Sequence, residues 1–364
     1  MENKKYCVIM AGGIGSRFWP ISRTSRPKQF LDILGTGKTF LRATFERFLP
    51  IIPKEDFLVV TNAVYKDLVM EQLPEIGEHQ VLCEPIGRNT APCIAYAALR
   101  INAVDPGADM IVTPSDHLIL NEDEFRKSIV RSVEFIQERD AMMTIGIKPT
   151  DPNTGYGYIQ VEKDNIEGRG AVPEIHKVKT FTEKPGLELA RTFVESGEFF
   201  WNSGIFIWKV GTILQAMSAH LSDMYQLFNS ILPHYNTPRE KEHIARIYPE
   251  CRAVSIDIGI MEKARNAYVY CSDFGWSDVG TWGSLYQHSP KDGNGNVISG
   301  YAALYDTANC IVKVPEGKLV VVDGLQDYIV VESDNVLMIC PRSGEQNIKR
   351  YVEEAKFKKG DKFI

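Results

Sequence analysis

A glycine-rich turn near the N-terminus carries an unusual amount of positive charge. An apolar run, residues 7–10, leads into the segment AGGIGSRFWPISRTSRPKQF, in which Arg17, Arg23, Arg26 and Lys28 follow one another closely. Glycines allow backbone N–H groups to approach a bound phosphate, and nearby basic side chains neutralise its charge. The segment is therefore a candidate phosphate-binding loop, although basic residues in a loop more often form a solvated surface.

Two familiar nucleotide motifs fit this region poorly. The dinucleotide pattern G-x-G-x-x-G lacks its third glycine, because Phe18 occupies that position, and no acidic residue ends a second strand at the required distance. Residues 35–39 (GTGKT) end like a P-loop, but Asp32 stands where the first glycine would be. We interpret GTGKT as a turn into a helix that Thr39 caps.

Two aspartates are candidates for a role in metal binding. Asp116 follows the apolar run MIVTPS, at the carboxyl end of a predicted strand, where parallel sheets bind ligands. Asp278 lies in GWSDVGTW, flanked by glycines and tryptophans. Two carboxylates, completed by water and phosphate oxygens, form a suitable Mg²⁺ site. For Asp116, the residues alone slightly favour a turn or helix-capping role.

Composition limits the classes of partner. The chain has 364 residues, 44% of them hydrophobic, with a net charge of −6 and a sequence pI near 5.8. This balance argues against a nucleic-acid partner. The seven cysteines show no metal-ligand spacing and predict reduced thiols. No apolar run approaches the roughly 18 residues of a membrane span, so we expect a cytoplasmic protein without a membrane partner.

The hydrophobic pattern predicts an α/β fold. Continuously apolar strands alternate with helical patterns in the first half, which indicates a mostly parallel sheet covered by helices on both faces. From about residue 155 to 210, alternating runs such as YGYIQVEKD and IHKVKTFTEK predict antiparallel strands, followed by helices near 211–230 and 237–247. The earlier predicted strands are 7–10, 57–61, 80–84, 109–114 and 141–147, and the helices are 39–48, 63–72, 90–103 and 121–138, the last capped by Asn121.

A second domain is predicted after the turn-rich segment KDGNGN, residues 291–296. Short strands at a spacing of about ten residues then indicate a small β-rich, short solenoid-like domain. It lacks the hexapeptide repeats of an acyltransferase β-helix, so we expect it to be structural or to form a homodimer. The predicted domains are a catalytic domain, 1–290, and a β-rich domain, 291–364.

The glycine-loop segment resembles the signature G-G-x-G-[ST]-R-x-x-P…K-P/Q of the sugar-1-phosphate nucleotidyltransferases. Its F-W-P and S-R-x-x-x-P-K-Q features resemble the mannose-1-phosphate guanylyltransferase branch. EPIGRNTAP, TPSDH, GYGYI, FTEKP, WNSGIFIW and WSDVGTW also match, in family order, over about residues 6–290. The resemblance implies a Rossmann-like mixed sheet and Mg²⁺-dependent condensation of a sugar 1-phosphate with an NTP. Longer members carry a cupin-like isomerase domain; without its histidine and acid cluster, we expect one activity.

The resemblance assigns roles to named residues. The metal ligands would be Asp116 and Asp278, and His117 is interpreted as structural because hard Mg²⁺ prefers oxygen. The catalytic residues implied are Arg17 and Lys28 on the leaving pyrophosphate, Lys184 on the sugar phosphate, and the two aspartates. The nucleotide would contact Ala11, Gly12, Gly13, Gly15, Ser16, Glu84, Arg88, Asn89 and Thr90. The sugar would contact Tyr156, Gly157, Glu183, Lys184 and Asn202.

Several of these residues have simpler alternatives. Glu84 matches the paired N–H donors of guanine, which adenine lacks. Asn89 or Thr90, however, could cap the helix that begins near Pro92. The pair Glu183–Lys184 could be an exposed ion pair of little consequence. Core positions are the simpler interpretation of Trp201, Phe206, Trp208, Met142 and Met143, and a helix N-cap is that of Asp257.

The sequence therefore predicts a guanylyltransferase that makes GDP-mannose from GTP and α-D-mannose 1-phosphate. The same chemistry on fucose or heptose 1-phosphate is the nearest alternative. A non-catalytic nucleotide-sugar binding protein and a nicotinamide dehydrogenase are more distant ones.

Overall fold

The computed structural model describes residues 3–162 and 174–364. Its strands are β1 (Lys5–Ala11), β2 (Phe57–Asn62), β3 (Val81–Glu84), β4 (Asp109–Pro114), β5 (Leu118–Ile119), β6 (Met142–Ile147), β7 (Tyr158–Val161), β8 (Ile175–Thr182), β9 (Phe199–Lys209), β10 (Ala267–Ser272), β11 (Trp276–Ser277), β12 (Val297–Ser299), β13 (Tyr301–Tyr305), β14 (Ile311–Lys313), β15 (Leu319–Asp323), β16 (Tyr328–Ser333) and β17 (Val336–Pro341). Its α-helices are α1 (Phe40–Phe48), α2 (Lys66–Gln72), α3 (Thr90–Asn102), α4 (Glu122–Glu138), α5 (Leu187–Ser196), α6 (Val210–His220), α7 (Ser222–Asn229), α8 (Glu240–Ile247), α9 (Trp282–His288) and α10 (Ile348–Lys359).

The chain divides into two compact units. The first, here called the sheet unit, comprises the described residues up to Gly12 together with Thr44–Ser115 and Ile119–Trp276. The second, here called the signature unit, comprises Gly13–Ala43, Asp116–Leu118 and Ser277–Ile364. Most of the glycine-loop segment thus belongs to the same unit as the C-terminal strands.

The sheet unit contains a mixed sheet in the order β3-β2-β1-β4-β9-β6-β10-β8-β7. Strands β3, β2, β1 and β4 are parallel, as are β6 and β10. Strand β9 runs antiparallel to β4 and β6, and β7 pairs antiparallel with β8. The predicted mostly parallel sheet with an antiparallel part is confirmed, although residues 163 and 164 of YGYIQVEKD lie outside the described residues.

Helices cover both faces of this sheet because its central strands are apolar on both sides. Val8, Met110 and Val112 join a buried cluster with residues of α3, α6 and α7. Ile111, which alternates with Met110 and Val112, instead lines a cavity together with Ile129 and Val133 of α4. The predicted helix over 211–230 is two helices, α6 and α7, with a break at Leu221.

The signature unit is built on short strands that bury one side of the glycine-loop segment. Strands β12, β14 and β16 are parallel, β17 pairs antiparallel with β16, and β13 pairs in parallel with β15. The predicted β-rich, solenoid-like C-terminal region is confirmed. Its core includes Phe18, Trp282, Ile311 and Ile348, so Phe18 replaces the dinucleotide glycine because it is a core residue here.

Local signals in the sequence agree with the structure at the helix starts. The Arg42 N–H donates to Thr39 Oγ1 (3.3 Å) and the Glu124 N–H to Asn121 Oδ1 (3.1 Å), so both predicted caps are confirmed. Met142 and Met143 are buried, as predicted. Among the residues described, no helix combines the length and apolar character needed to cross a bilayer.

Candidate active site

The glycine loop of the signature unit depends on Gly15. This residue has φ +60°, and a Cβ atom there would lie 2.4 Å from Lys28 Cβ. Any side chain would therefore be strained and would collide with Lys28. The turn Ser16–Phe18 follows immediately, whereas Gly13 is exposed and a Cβ there would meet nothing within 4 Å.

Lys28 holds the two predicted metal ligands together. Its side chain is only 3% exposed, and its ammonium contacts Asp116 Oδ2 at 2.9 Å. It also donates to the backbone carbonyls of Asp116 (2.8 Å) and Asp278 (2.6 Å). An ammonium group has three N–H donors, so these contacts use all of them. In this arrangement Lys28 organises the two aspartates, and its predicted contact with a triphosphate would require an exchange of partners.

The electrostatics keep the Asp116 carboxylate ionised. Burial acts to raise the pKa of Asp116, but the Lys28 ammonium and His117 outweigh it, and the pKa lies below its ordinary value. The Asp278 carboxylate accepts the Gly280 N–H at 2.9 Å. Within residues 3–162 and 174–364, no group of three or more His, Cys, Asp or Glu side chains is arranged to hold a metal. The donor set is thus a carboxylate pair, which suits an ion that also takes substrate oxygens.

Two arginines of the glycine-loop segment differ in their surroundings. Arg17 Nε is buried and has no hydrogen-bond partner among the described residues. Arg23 donates to the Ser333 carbonyl (2.8 Å) and Asn335 Oδ1 (3.0 Å), so it ties the loop to the end of β16. Arg17, unlike Arg23, is therefore available to an anion.

Glu84 ends β3 in the sheet unit and is 6% exposed. Burial raises the pKa of its carboxyl group to about 7, although a hydrogen bond donated by the Tyr248 hydroxyl to Oε1 acts in the opposite direction. A Cβ atom on Gly12 would lie 3.3 Å from Glu84 Oε2. The neighbouring Ala11 ends β1, where its carbonyl accepts the Thr61 hydroxyl at 2.8 Å.

A second segment, residues 248–256, supports the EPIGRNTAP motif. Arg88 donates to the Pro249 carbonyl at 2.8 Å, and Thr90 Oγ1 accepts the Ile256 N–H at 2.8 Å. Asn89 adopts φ 69° and caps α3 by accepting the Thr90 N–H. The capping interpretation of Asn89 is confirmed, and a contact with the nucleotide stays a prediction.

The predicted sugar-binding residues lie close together in the sheet unit. The Asn202 N–H donates to the Gly157 carbonyl at 2.8 Å, and a Cβ atom on Gly157 would lie 3.0 Å from Glu183 Oε2. Lys184 pairs with Glu183. The Tyr156 ring packs edge-on against Trp201, with centroids 5.0 Å apart. Trp201, Phe206 and Trp208 are all buried, as predicted.

Asp257 is a member of this group that the sequence analysis missed. The Asn202 side-chain amide donates to Asp257 Oδ1 at 2.7 Å. Burial raises the pKa of Asp257, with a contribution from Glu183. The N-cap interpretation was wrong, because Asp257 is the first residue of the π-helical turn Asp257–Met261 and Ile256 is its cap. Tyr248, the partner of Glu84, was also missed.

Comparison with known proteins identifies the family. Residues 6–295 match the family model for nucleotidyl transferase. The chain belongs to the nucleotidyl transferase family. Residues 300–355 match the MannoseP isomerase/GMP-like beta-helix domain. The family resemblance seen in the motifs is thereby confirmed.

Similar nucleotidyl transferases are known from several bacteria. A mannose-1-phosphate guanylyltransferase of Escherichia coli is 35% identical over 95% of this chain and 74% of its own length. One from Escherichia coli strain K12 is 37% identical over 98% of this chain and 74% of its own. A crystal structure described as mannose-1-phosphate geranyltransferase from Thermus thermophilus is 28% identical, with a TM-score of 0.86 over 97% of this chain and 99% of that one.

Nucleotidyl transferases generally use a divalent metal, and the carboxylate pair of this chain fits one. Both aspartates are anchored to the same ammonium, and neither belongs to a closed cage of protein ligands within the described residues. A metal held by two carboxylates keeps positions for substrate oxygens. Asp116 and Asp278 are the residues that would hold it.

Proposed function

We propose that this nucleotidyl transferase converts GTP and α-D-mannose 1-phosphate into GDP-mannose and pyrophosphate. The observation that carries the proposal is the likeness, over almost the whole chain, to proteins named mannose-1-phosphate guanylyltransferase. The same transfer to fucose or heptose 1-phosphate is the alternative, because the shape of the sugar pocket, and not the motifs, decides between these sugars.

Glu84 supports the choice of GTP. An ionised carboxylate accepts two hydrogen bonds, which matches N1–H and N2–H₂ of guanine. Adenine presents no such pair, so ATP would leave a buried carboxylate unpaired and would be rejected. Tyr248 would hold Glu84 in a fixed orientation, and Arg88, Asn89 and Thr90 would contact the rest of the nucleoside.

Around the glycine loop, the protein would offset the charge of the triphosphate. The backbone of Gly12, Gly13 and Gly15, with Ala11 and Ser16 beside it, would approach the phosphates, and Arg17 would bind the leaving pyrophosphate. Lys28 would position Asp116 and Asp278, which would hold Mg²⁺. When bound, this ion would supply Lewis-acid polarisation of the phosphates.

In the sheet unit, the sugar 1-phosphate would bind to Lys184 through its phosphate. Glu183 would accept hydrogen bonds from the sugar hydroxyls, and the Asn202 amide would also bind these hydroxyls, beside Tyr156 and Gly157. The protein forms no covalent intermediate in this scheme. Its contribution is to hold the attacking phosphate oxygen in line with the α-phosphorus of GTP.

The proposal also covers the two domains, the cellular compartment and the assembly of the chain. We assign catalysis to residues 1–290 and the β-rich domain to 291–364, supported by the two family matches, 6–295 and 300–355. The seven cysteines, all among the described residues, are unpaired thiols, which favours the reducing cytoplasm. The exposed apolar face formed by β13 and β15 would bind a second copy of the chain.

Pyrophosphate release tests the activity directly. Four NTPs and a panel of mannose, fucose, heptose and glucose 1-phosphates should be assayed with and without Mg²⁺, and we expect release only with GTP, mannose 1-phosphate and Mg²⁺ together. Arg17→Ala should lower kcat about 100-fold, whereas Arg26→Ala, an exposed arginine of the same segment, should not. Preference for another sugar would replace mannose in the proposal, and GDP-mannose binding without any release would overturn it.

A further inference from the structure

A separate cavity of about 450 Å³ lies in the sheet unit, beside the edge strand β3. Its walls come from β3, α3 and the segment that begins α8, and they include Cys83, Tyr96, Arg100, Asn236 and Lys241. Side chains alternate along a strand. Cys83 therefore faces this cavity, and Glu84, the proposed guanine-binding residue, points to the opposite side of β3.

Arg100 is the central group of the cavity. It is 9% exposed, and its Nε donates to Glu240 Oε2 at 3.1 Å. Glu240 is itself fixed by the Tyr96 hydroxyl (2.6 Å) and the Asn236 N–H (2.6 Å). The two terminal nitrogens of Arg100 make no hydrogen bond to any group in the described part of the chain. These donors line the cavity without a protein acceptor, an arrangement that suits an anionic ligand.

Two lysines add positive charge around the same space. Lys66 and Lys241 both line the cavity, and the Lys66 ammonium is held by Glu78 at 2.7 Å. Burial raises the pKa of the Cys83 thiol, while Lys66 and Lys241 act to lower it. Both ammonium groups therefore lie near Cys83. Lys241 has no carboxylate partner among the described residues.

We propose that this cavity binds a phosphate-bearing metabolite, whose phosphate accepts hydrogen bonds from the terminal nitrogens of Arg100 and from Lys241. The planar guanidinium matches two phosphate oxygens at once, and the ammonium acts as an adjacent point charge. The volume suits a molecule of the size of a sugar phosphate or a mononucleotide. The asparagine and threonine at positions 236 and 237 supply polar groups for its remaining hydroxyls.

This site is coupled to nucleotide binding through one helix. Glu240, which anchors Arg100, is the first residue of α8, and Tyr248, which donates to Glu84, follows its last residue. A ligand that draws Arg100 away from Glu240 changes the start of α8 and, through it, the Tyr248–Glu84 contact. This coupling rests on the proposed function of Glu84, and by linkage it acts in both directions.

Alkylation of Cys83 by iodoacetamide tests the site without any catalysis. Inorganic phosphate should protect Cys83 but leave Cys271, the other partly exposed cysteine, unprotected, as read by peptide mass spectrometry. Lys241→Ala should raise the phosphate concentration needed for protection roughly tenfold, and Lys263→Ala, an exposed lysine elsewhere, should leave it unchanged. Equal protection of both cysteines, or protection of Cys83 at the same phosphate concentration in Lys241→Ala as in wild type, would overturn the site.

Two further measurements complete the test. If Cys83 proves unreactive, calorimetric titration of phosphate into wild type and Lys241→Ala decides the question, and identical isotherms refute the site. For the coupling, phosphate should change the KM for GTP in wild type and not in Lys241→Ala. A KM effect that is the same in both proteins contradicts the coupling, while failure of GTP turnover would bear on the proposed function alone.

Discussion

At the scale of single residues, the protonation of Glu84 limits recognition of guanine. Its pKa is raised to about 7 by burial, and the groups that face it are the Tyr248 hydroxyl, the Cys93 thiol and the backbone of Gly12. Below this pKa the carboxyl group is neutral and no longer accepts both guanine donors. We therefore expect kcat/KM for GTP to rise with pH through a midpoint at about 7.

The control for this prediction is Glu84→Gln. At each pH, kcat/KM of the wild type is divided by kcat/KM of this variant. This ratio cancels the titration of the GTP phosphates, which affects both proteins equally. The variant should lose the selectivity for GTP over ATP and have a flat profile in this pH range. A ratio that titrates near the ordinary pKa of glutamate, about 4.3, would contradict the assignment of Glu84.

The residues that the sequence analysis missed share one physical cause. Asp257 resembles an ordinary helix-start acid in the sequence, and its contact with Asn202 arises only when the π-helical turn packs against β9. Tyr248 precedes a proline and carries no motif. Both are brought to the site by tertiary packing of residues 248–261, and no local spacing records that packing. Glu84 and Asn202, by contrast, lie in motifs that the sequence displays.

At the scale of elements, the glycine loop offers a matched pair of substitutions. Gly15→Ala would place a methyl group 2.4 Å from Lys28 Cβ and would require a left-handed backbone. We expect it to lower the free energy of unfolding by about 2 kcal/mol or more and to displace Lys28 from the two aspartates. Gly13→Ala meets nothing within 4 Å, so its effect on unfolding should be small.

Urea unfolding followed by tryptophan fluorescence measures the difference between these variants. Pyrophosphate release then separates stability from function, because Gly13→Ala should fold normally even if its methyl group weakens triphosphate binding. Equal destabilisation by both substitutions would show that the contact between Gly15 and Lys28 does not decide the loop conformation.

Elements with a strong hydrophobic period were predicted well, and those set by packing were not. The run FLVVT lies within β2, and the run DMIVTP matches β4. Both were predicted because buried parallel strands need continuous apolar sequence. The break at Leu221 between α6 and α7 was missed, because the sequence has a helical pattern both before and after this residue. Strands β12 and β13 were not predicted; each is short, and β13 has two large exposed residues.

At the scale of the whole molecule, the division into units could not have been predicted from the sequence. The glycine-loop segment packs with Trp282, Ile311 and Ile348, which lie far away in the chain. The Trp19 indole N–H also donates to the Phe363 carbonyl at 2.7 Å. A boundary near residue 290 follows the chain, whereas the compact units follow these long-range contacts. The family boundary and the packing boundary are therefore different properties of the molecule.

The apolar face of β13 and β15 leads to a prediction about assembly. Parallel pairing places Tyr301 beside Leu319 and Ala303 beside Val321, and Tyr301, Leu319 and Val321 are 67%, 68% and 62% exposed. Contiguous exposed apolar side chains mark an interaction surface, and a second copy presents the same surface about a two-fold axis. Light scattering should therefore give the mass of a dimer for the wild type.

A charge on this face should separate the two copies, because it would be buried without a partner at the interface. Val321→Glu should shift the mass to that of a monomer. If catalysis needs one copy only, this variant should keep its pyrophosphate release with GTP and mannose 1-phosphate. Leu337→Glu is the matched control, since Leu337 is also exposed but lies on β17, in a different sheet. A monomeric wild type, or dissociation by Leu337→Glu alone, would place the interface elsewhere or remove it.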